Sequence, residues 1–477
     1  MLFSSVPFLF YFLPAVLAIY YLTGVRNAVL LACSIFFYFW GEGLYVVLLI
    51  ALVAMNQAIG IGIERLEGRR RLGLLVSGIT ANLAVLGFFK YSQFLLGIFT
   101  GIIGAKPVQL GIHLPLGISF FSFQLVSYLI EVNRKAIPAE RNFTRLATYI
   151  MMFPHLVAGP IVRYTDISDE LRKRSVSADY LGTGIQYFIV GLSQKVLIAN
   201  TVAGAADHLF GLPVDSVSTF AAWVGTFAYT LQIYFDFCGY SNMAIGLAFM
   251  LGFRFPRNFD YPYSSKSISE FWRRWHMSLS FWFRDYLYIP LGGSKGSKLK
   301  TIRNLSIVFL VTGLWHGAAW NFVFWGALHG LFVIVERAWL GSVLQRVPNI
   351  ISRAYTLLIV MVAWVFFRAD SFEQAWVVSK AMFGFGRASQ WDPMSLWVTP
   401  EVMVAFVAGA VLSFPIVPWL MDKVGADLIK GSVFPGHMHR DVFYVHRLPT
   451  LLLFCGLALS TALLVSSSLN PFLYFRF

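Results

Sequence analysis

The chain has 477 residues, and its composition excludes most of the protein classes that this length allows. Hydrophobic residues make up 58% of the sequence and charged residues 13%, against roughly 25% charged in an ordinary soluble domain. A soluble globule, a disordered chain and a fibrous repeat are therefore excluded. Lipid offers no partner to backbone N–H and C=O groups, so we predict an all-α polytopic membrane protein. A β-barrel is disfavoured because the apolar runs are continuous and do not alternate.

The charge balance is strongly positive, with 37 lysines and arginines against 23 acidic residues and a net charge of +14. No polar basic domain is present to bind nucleic acid, so we expect no nucleic-acid partner. Loops on the cytoplasmic side of the membrane and anionic ligands explain the excess more simply. The three cysteines, Cys33, Cys238 and Cys455, lie in apolar stretches without metal-ligand spacing. They predict buried thiols, with neither a disulfide nor a zinc site.

Apolar runs divide the chain into predicted membrane spans. Residues 5–25 carry no charge and are long enough for one crossing, and the absence of a basic stretch before them and of a small-residue cleavage site after them indicates a retained anchor. Roughly nine to twelve membrane helices are predicted in all. Several runs have lengths that fit tilted, broken or re-entrant helices. The later runs cover residues 27–63, 72–89, 107–130, 146–161, 182–206, 217–253, 304–335, 354–367, 402–420 and 448–475.

Basic residues cluster in four loops, at residues 65–71, 134–145, 163–174 and 254–303, which we expect on the cytoplasmic side. The last of these has ten basic and three acidic residues, a balance of +7 that is half the net charge of the protein. No internal repeat or low-complexity linker is visible. We therefore predict a single membrane domain over residues 1–477, with 254–303 as an amphipathic segment on its cytoplasmic side.

Within that segment, Ser267–Glu270 fits a capping box and predicts a helix over residues 271–288, ended by the Pro290–Gly293 turn. Helical spacing places one set of large apolar side chains on a common face: Trp272, Trp275, Leu279, Trp282 and Tyr286. The basic side chains that point elsewhere are Arg273, Arg274 and Arg284. An interfacial anchor would place these tryptophans at headgroup depth and these arginines on lipid phosphate. Alternatively, the arginines bind the phosphates of a soluble anionic donor such as a coenzyme A thioester.

Residues 304–335 contain no aspartate, glutamate, lysine or arginine but include His316 and His329. As one helix they would reach ~48 Å, beyond the ~30 Å hydrocarbon core, so this run must break or turn. Gly313 and Gly317 flank His316 and favour a kink or close helix contact that places it deep in the protein. A buried polar side chain in a membrane is costly and is typically functional.

The histidines receive different predicted roles. A buried, neutral His316 suits a general base that takes a proton from a hydroxyl group. His276, which we predict to be buried among aromatic residues, would orient His316, polarise a carbonyl or hold the acceptor. His329 is interpreted as forming a structural hydrogen bond. Solvated or packing roles are expected for the others: His113, His155, His208, His437, His439 and His446. No histidine or cysteine motif supports a metal site.

Two further polar insertions interrupt apolar sequence. Asp236 lies in a run otherwise suited to lipid or to a bundle interior, and is predicted either to pair with an arginine or to support a catalytic histidine. The prolines and the glycine of residues 153–160 predict a helix break, as in a re-entrant element or at the end of a span.

Several motifs together resemble the membrane-bound O-acyltransferase (MBOAT) family, in its branch of bacterial alginate and exopolysaccharide O-acetyltransferase membrane subunits. The strongest matches are Glu270-Phe-Trp-Arg-Arg-Trp-His-Met-Ser-Leu-Ser280, Arg284-Asp-Tyr-Leu-Tyr-Ile-Pro-Leu-Gly-Gly293, Leu314-Trp-His-Gly317 and Trp325-Gly-Ala-Leu-His-Gly330. Supporting matches spread over residues 1–5, 114–120, 153–160, 234–246 and 470–477. The chain departs from the usual family pattern at Cys238 and Asn242.

The resemblance implies that His316 is the invariant histidine of the family and His276 its second motif histidine. It also implies a helical bundle with a central tunnel, a cytoplasmic acyl thioester as donor and an acceptor on the outer face. From it we expect an O-acetyltransferase of the bacterial inner membrane that uses acetyl-CoA as a substrate and binds no permanent cofactor. Its expected partners are membrane lipid, a periplasmic acetyltransferase and a polysaccharide-secretion complex, and alginate is the expected acceptor.

The site residues are assigned as follows. His316 and His276 are expected to be catalytic. A second group is expected on the acetyl-CoA side: Arg273, Arg274, Arg284, Trp272 and Trp275. A supporting group consists of Asp236, Trp315 and Asn321. Cellulose or another exopolysaccharide is an alternative acceptor, and a lipid- or carrier-protein-dependent acyltransferase is an alternative enzyme. A transporter, an export component or a non-catalytic scaffold of a secretion complex is the alternative outside enzymes.

Overall fold

The computed structural model describes residues 1–106, 108–386, 396–425 and 448–466. Within these ranges the regular structure is helical and no strand occurs, which confirms the predicted all-α class. The chain forms two compact units. Unit 1 contains residues 1–185 and 244–256, and unit 2 contains residues 186–243 and the described part of 257–477.

Among the described residues, five helices are long and apolar enough to cross a membrane, namely Tyr45–Arg65, Gly68–Ile102, Ala178–Gly211, Trp320–Leu344 and Asn349–Arg368. Four shorter apolar helices accompany them, namely Phe8–Leu22, Ile118–Asn133, Pro400–Leu412 and Thr450–Ser466. The first of these short helices falls in the predicted span 5–25. The protein is thus a multi-pass membrane protein, while nine to twelve crossings stay a prediction. Residues 467–475 of the last predicted run, the terminal motif 470–477 and three of the histidines, His437, His439 and His446, lie outside the described residues.

Unit 1 is built around a long helical hairpin. Its α-helices, in chain order, are α1 (Leu13–Leu22), α2 (Arg26–Glu42), α3 (Tyr45–Arg65), α4 (Gly68–Ile102), α5 (Ile118–Asn133), α6 (Phe143–Met151), α7 (Phe153–Leu156), α8 (Tyr164–Arg172) and the first part of α9 (Ala178–Ser193). A π-helical turn, Phe8–Phe12, precedes α1. The predicted helix break at residues 153–160 is confirmed, because α7 is a single turn and residues 157–163 are not helical.

The basic loops of unit 1 meet at one end of its helices. Arg141 Nη2 lies 2.9 Å from Glu64 Oε2 at the end of α3. Arg71, in the first turn of α4, donates to the carbonyl of Val132 at 3.1 Å. Tyr164, which begins α8, belongs to the same loop cluster, because its hydroxyl donates to Glu140 Oε2 at 2.7 Å in the loop before α6. Loops 65–71, 134–145 and 163–174 therefore share one face, as a common cytoplasmic side requires.

Unit 2 contains the second part of α9, α10 (Thr201–Gly211), α11 (Thr219–Met250, through Met243), α12 (Ile268–Arg274), α13 (Met277–Phe283), α14 (Lys298–His316), α15 (Trp320–Val335), α16 (Gly341–Leu344), α17 (Asn349–Arg368), α18 (Phe372–Lys380), α19 (Pro400–Leu412), α20 (Ile416–Gly425) and α21 (Thr450–Ser466). π-helical segments link several of them, namely Gln194–Asn200, Arg284–Tyr288, Glu336–Leu340 and Ala381–Phe385. One continuous cluster of buried aliphatic and aromatic side chains from α10, α11, α12, α15 and α17 forms the core.

The apolar run 304–335 is a helical hairpin, as predicted from its length. α14 ends at His316 and α15 begins at Trp320. The two helices touch through glycines: a Cβ on Gly313 would lie 2.4 Å from the Phe322 carbonyl oxygen, and one on Gly326 would lie 2.3 Å from the Phe309 carbonyl oxygen. Any larger residue would force the helices apart. This contact fixes the turn that carries His316.

The cysteine prediction is partly wrong. None of the three cysteines, all within the described residues, forms a disulfide, and Cys238 is buried. Cys33 is only half-buried and Cys455 is exposed. An exposed thiol on an apolar helix is compatible with lipid contact, because lipid does not penalise apolar surface as water does.

Candidate active site

The segment that carries His276 is two short helices, and the predicted continuous helix over 271–288 is wrong. The predicted start is confirmed, since Ser267 Oγ accepts a hydrogen bond from the Glu270 amide at 3.0 Å. α12 then ends at Arg274 and α13 begins at Met277. Between them His276 adopts φ +43° and ψ +54°, the left-handed region that costs about 1–2 kcal/mol for a residue with a Cβ.

Residues 258–260 hold this break in place. The Asn258 carbonyl accepts from the Met277 amide at 2.9 Å, and Asn258 Oδ1 accepts from the Ser278 amide at 3.3 Å. The Asp260 amide in turn donates to the Arg274 carbonyl at 2.9 Å. These bonds pair backbone groups that the helix ends leave open, which offsets the strain at His276.

The same asparagine fixes the imidazole of His276. His276 Nδ1 lies 3.0 Å from Asn258 Oδ1, and Asn258 Nδ2 donates to Ser241 Oγ at 3.0 Å. Asn258 Oδ1 is therefore the acceptor, so Nδ1 carries the proton of the neutral ring and Nε2 carries its lone pair. His276 is fully buried, and this burial lowers its pKa to about 3. The ring is neutral at physiological pH.

His316 ends α14 and is 4% exposed. Its ring contacts Trp325 and Phe367, with centroids 5.0 and 5.1 Å away, and the neighbouring Trp315, 4.8 Å away. The Trp315 ring also lies 6.2 Å from that of His276. The structure therefore brings both predicted catalytic histidines and the predicted supporting Trp315 into one aromatic cluster.

Trp272 and Trp275 are buried in the core of unit 2, with 9% and 3% of their surface exposed. The Trp272 ring packs on Phe309 at 5.6 Å, and the Trp275 ring packs on Trp364 at 4.9 Å. Such packing within the protein disfavours the interpretation of this segment as an interfacial anchor with its tryptophans among lipid headgroups.

The three arginines of the segment have different surroundings. Arg274 Nε lies 2.9 Å from Glu270 Oε1, and its Nη1 lies 3.4 Å from Asp260 Oδ2. Arg284 lies 2.6 Å from Asp285. Arg273 is exposed on α12. Arg273 and Arg284 are thus both accessible to an anionic ligand, although Arg284, like Arg274, already contacts a carboxylate.

Asp236 pairs with a lysine, so the predicted arginine partner is wrong. Lys195 Nζ lies 2.6 Å from Asp236 Oδ1, and Lys195 Nζ also donates to Asn200 Oδ1 at 2.9 Å. The neighbouring Phe237 packs its ring on His276, with centroids 4.7 Å apart. Asp236 therefore holds α11 beside the site by neutralising a buried ammonium. The prediction missed Lys195, although a single lysine within the apolar run 182–206 was a visible signal.

Asn321 and Glu336 anchor helix ends around the site. Asn321 Nδ2 donates to the Ala369 carbonyl at 2.9 Å and ties the start of α15 to the end of α17. Glu336 accepts from the Ile268 amide at 2.6 Å and the Ser269 amide at 2.9 Å, so it caps the start of α12. The prediction missed Glu336, which is the first charge after the uncharged run 304–335, and Asn258, which no sequence pattern marks.

The predicted structural hydrogen bond of His329 is wrong. His329 is fully buried, and its ring stacks on Phe271 with an interplanar angle of 5°. Among the described residues neither of its ring nitrogens has a hydrogen-bond partner. Ring packing, and not hydrogen bonding, holds this histidine in the fold.

Comparison with known proteins identifies the family of this chain. The family model for MBOAT, the membrane-bound O-acyltransferase family, matches residues 99–369. The probable alginate O-acetylase AlgI of Pseudomonas aeruginosa is 45% identical over 394 residues, which cover 81% of this chain and 75% of that protein. The protein of the same name from Azotobacter vinelandii is 41% identical over the full length of both chains. The peptidoglycan O-acetyltransferase of Helicobacter pylori is 35% identical over 82% of this chain and 81% of its own. The chain therefore belongs to the membrane-bound O-acyltransferase family and is a multi-pass membrane acyltransferase.

Proposed function

We propose that this protein transfers acetyl groups from acetyl-CoA at the cytoplasmic face of a bacterial inner membrane to an exopolysaccharide outside it, with alginate as the acceptor polymer. The observation that carries the proposal is the pair of buried imidazoles, His276 and His316, in contact with the same indole of Trp315. The alginate O-acetylase relatives, at 41–45% identity over most of the chain, support the choice of acetyl and of alginate.

In this mechanism His316 is the general base. It takes the proton of an acceptor hydroxyl as the hydroxyl oxygen attacks the acetyl carbonyl carbon. The carbon–sulfur bond then breaks, and the thiolate takes the proton back from the imidazolium. The ester and the free thiol are the products, and no other reactant is needed. Such a base supplies about 10²–10⁴ in rate.

The tautomer of His276 selects among the roles that the sequence left open. Because Nδ1 donates to Asn258, Nε2 can accept a hydrogen bond but cannot donate one in the neutral ring. A neutral His276 therefore does not polarise a carbonyl through Nε2. It holds the acceptor sugar by accepting the hydrogen of a second hydroxyl group, while the attacking hydroxyl gives its proton to the base His316.

The donor approaches from the basic end of unit 2. Exposed basic side chains lie in the loop before α14, at Lys295, and in the first turns of α14, at Lys298, Lys300 and Arg303. Together with the exposed Arg273 they would attract the phosphates of acetyl-CoA, which a positively charged cytoplasmic loop favours. The acetyl group would then pass through the predicted tunnel toward His316.

The acceptor can be direct or indirect. Either the polymer itself or a periplasmic acetyltransferase within a polysaccharide-secretion complex would receive the acetyl group. Peptidoglycan is the second candidate acceptor, since the Helicobacter pylori relative carries that name at 35% identity.

Two measurements test the proposal. The purified protein in lipid nanodiscs is given acetyl-CoA labelled in the acetyl group together with deacetylated alginate as acceptor, and release of free coenzyme A is followed. An inert protein would refute transfer from this donor to this polymer. The acetyl content of exopolysaccharide and of peptidoglycan is then compared by mass spectrometry in a deletion strain and in its complemented parent. Loss of acetyl from alginate supports the proposal, whereas loss from peptidoglycan alone identifies the second acceptor.

A further inference from the structure

Four buried polar atoms in unit 2 lie on three side chains that touch one another. They are Trp272 Nε1, Trp325 Nε1 and both ring nitrogens of His329, and none has a hydrogen-bond partner among the described residues. The ring centroids are 5.7 Å apart for the two tryptophans, and 5.2 and 5.1 Å from Trp272 and Trp325 to His329. We call these three residues the indole–imidazole cluster.

Such a cluster needs an explanation, because more than about 90% of buried polar groups in proteins have a hydrogen-bond partner. Two other indoles of unit 2 do have partners. Trp364 Nε1 donates to the Tyr263 hydroxyl at 3.1 Å, and Trp223 Nε1 donates to the Met382 carbonyl at 2.7 Å. Four atoms that find no partner among the described residues, on three side chains in mutual contact, indicate a ligand as their partner.

The chemistry of the cluster selects the ligand. An indole N–H can only donate a hydrogen bond, and a neutral imidazole donates one and accepts one. A matching ligand must therefore offer at least two acceptor oxygens and tolerate an aromatic surround. Amide and thioester carbonyls meet both conditions, whereas phosphates would need cations in place of indoles.

The position of the cluster indicates that its ligand is the acyl donor and not the acceptor. Trp325 contacts His316, and His329 lies one helical turn further along α15, toward Glu336. Trp272 packs on Phe309 of α14, between His316 and the basic loop where α14 begins. The cluster thus lies between the basic end of the unit and the predicted base.

We propose that the indole–imidazole cluster binds the carbonyl oxygens of the amide-bearing arm of the acyl thioester donor. The inference rests on the proposed function, which supplies the donor. The cluster positions the arm so that the acyl group extends to His316. Trp325 and His329 thereby become substrate-binding residues, a role that the sequence did not predict for them.

The experiment uses Trp272→Phe and Trp325→Phe, which keep an aromatic ring and remove the N–H. Each should raise the KM for acetyl-CoA about three- to tenfold, the equivalent of one neutral hydrogen bond, with kcat changed less. Neither substitution removes a hydrogen bond between described residues, so neither should lower the unfolding temperature. Trp364→Phe is the matched control: it removes the N–H that bonds Tyr263, so it should lower the unfolding temperature and leave the KM unchanged.

The outcomes separate the cluster from the proposed function. If the wild-type protein is active and both Trp272→Phe and Trp325→Phe keep its KM for acetyl-CoA, the cluster does not bind the donor. The proposed function would then still stand. Unfolding temperatures that fall in these variants as far as in Trp364→Phe, without a KM effect, would show that the indoles serve the fold through water. If the wild-type protein does not consume acetyl-CoA, the proposed donor is wrong. The donor arm is then also wrong as the ligand of the cluster.

Discussion

Lys195 Nζ lies 2.6 Å from Asp236 Oδ1, and the two side chains are 1% and 2% exposed. Both charges are thus removed from water, and each is compensated by the other. Within a membrane protein such a pair is stable only as a unit, because a single unpaired charge at that depth is costly. Next to Asp236 on α11, Phe237 packs on the imidazole of His276. The pair therefore supports the helix that borders the candidate site.

Asp236→Asn should destabilise the protein strongly, because it leaves the Lys195 ammonium buried without its counter-charge. A loss of about 3–5 kcal/mol is expected for breaking a buried pair. Thermal unfolding of the purified protein in detergent measures it. The double variant Lys195→Met with Asp236→Leu removes both charges and should recover most of the loss. Equal stability of Asp236→Asn and wild type would contradict a buried ion pair.

Asn258→Asp tests the orientation of His276. A carboxylate in place of the amide would still accept from Nδ1–H, but its negative charge would raise the pKa of His276. The acid limb of the kcat profile should therefore move to higher pH, since a protonated His276 no longer has the Nε2 lone pair. Asn304→Asp is the control, because Asn304 is also buried and bonds the Leu291 carbonyl. Identical shifts in both variants would rule out a specific role for Asn258.

Removal of the Glu336 cap should loosen α12. Glu336→Ala deprives the Ile268 and Ser269 amides of their acceptor, at a cost of about 1–3 kcal/mol for buried donors. Glu336→Gln keeps one acceptor oxygen and should lose less stability and less activity. Unfolding temperature and turnover of acetyl-CoA are measured for both variants. If Glu336→Gln is as impaired as Glu336→Ala, the carboxylate charge matters more than the cap geometry.

The stability of the protein should depend on pH through His276. Its pKa is about 3 in the folded protein and about 6.5 when exposed. Between these values the unfolded chain binds the extra proton, so stability is unaffected above pH 6.5 and falls as the pH drops below it. Unfolding temperatures at pH 7.5, 6.0 and 5.0 test this prediction. His276→Asn should show a shallower fall than wild type, and parallel curves would show that His276 does not stay neutral.

The sequence predicted the features that local patterns control. The uncharged run 304–335 was too long for one helix, and Gly313 marked the close contact beside the turn at His316. Ser267 predicted the start of α12. The break at His276 could not be predicted in this way, because residues 271–288 have an unbroken helical pattern.

The missed features depend on residues far apart in the chain. Asn258 lies 18 residues before His276, and Glu336 caps Ile268 from 68 residues away. Lys195 and Asp236 likewise lie on different helices. Periodicity and capping rules describe neighbours along the chain, so only the fold reveals such pairs.

His316→Ala in nanodiscs shows whether His316 is the base of the acetyl transfer, with turnover measured as release of coenzyme A from acetyl-CoA. Loss of a general base should lower turnover by about 10²–10⁴ and preserve the unfolding temperature within a few degrees. The control is His113→Ala, since His113 is largely exposed and bonds Glu42 in unit 1, and it should keep wild-type turnover. Wild-type turnover in His316→Ala would show that His316 is not the base.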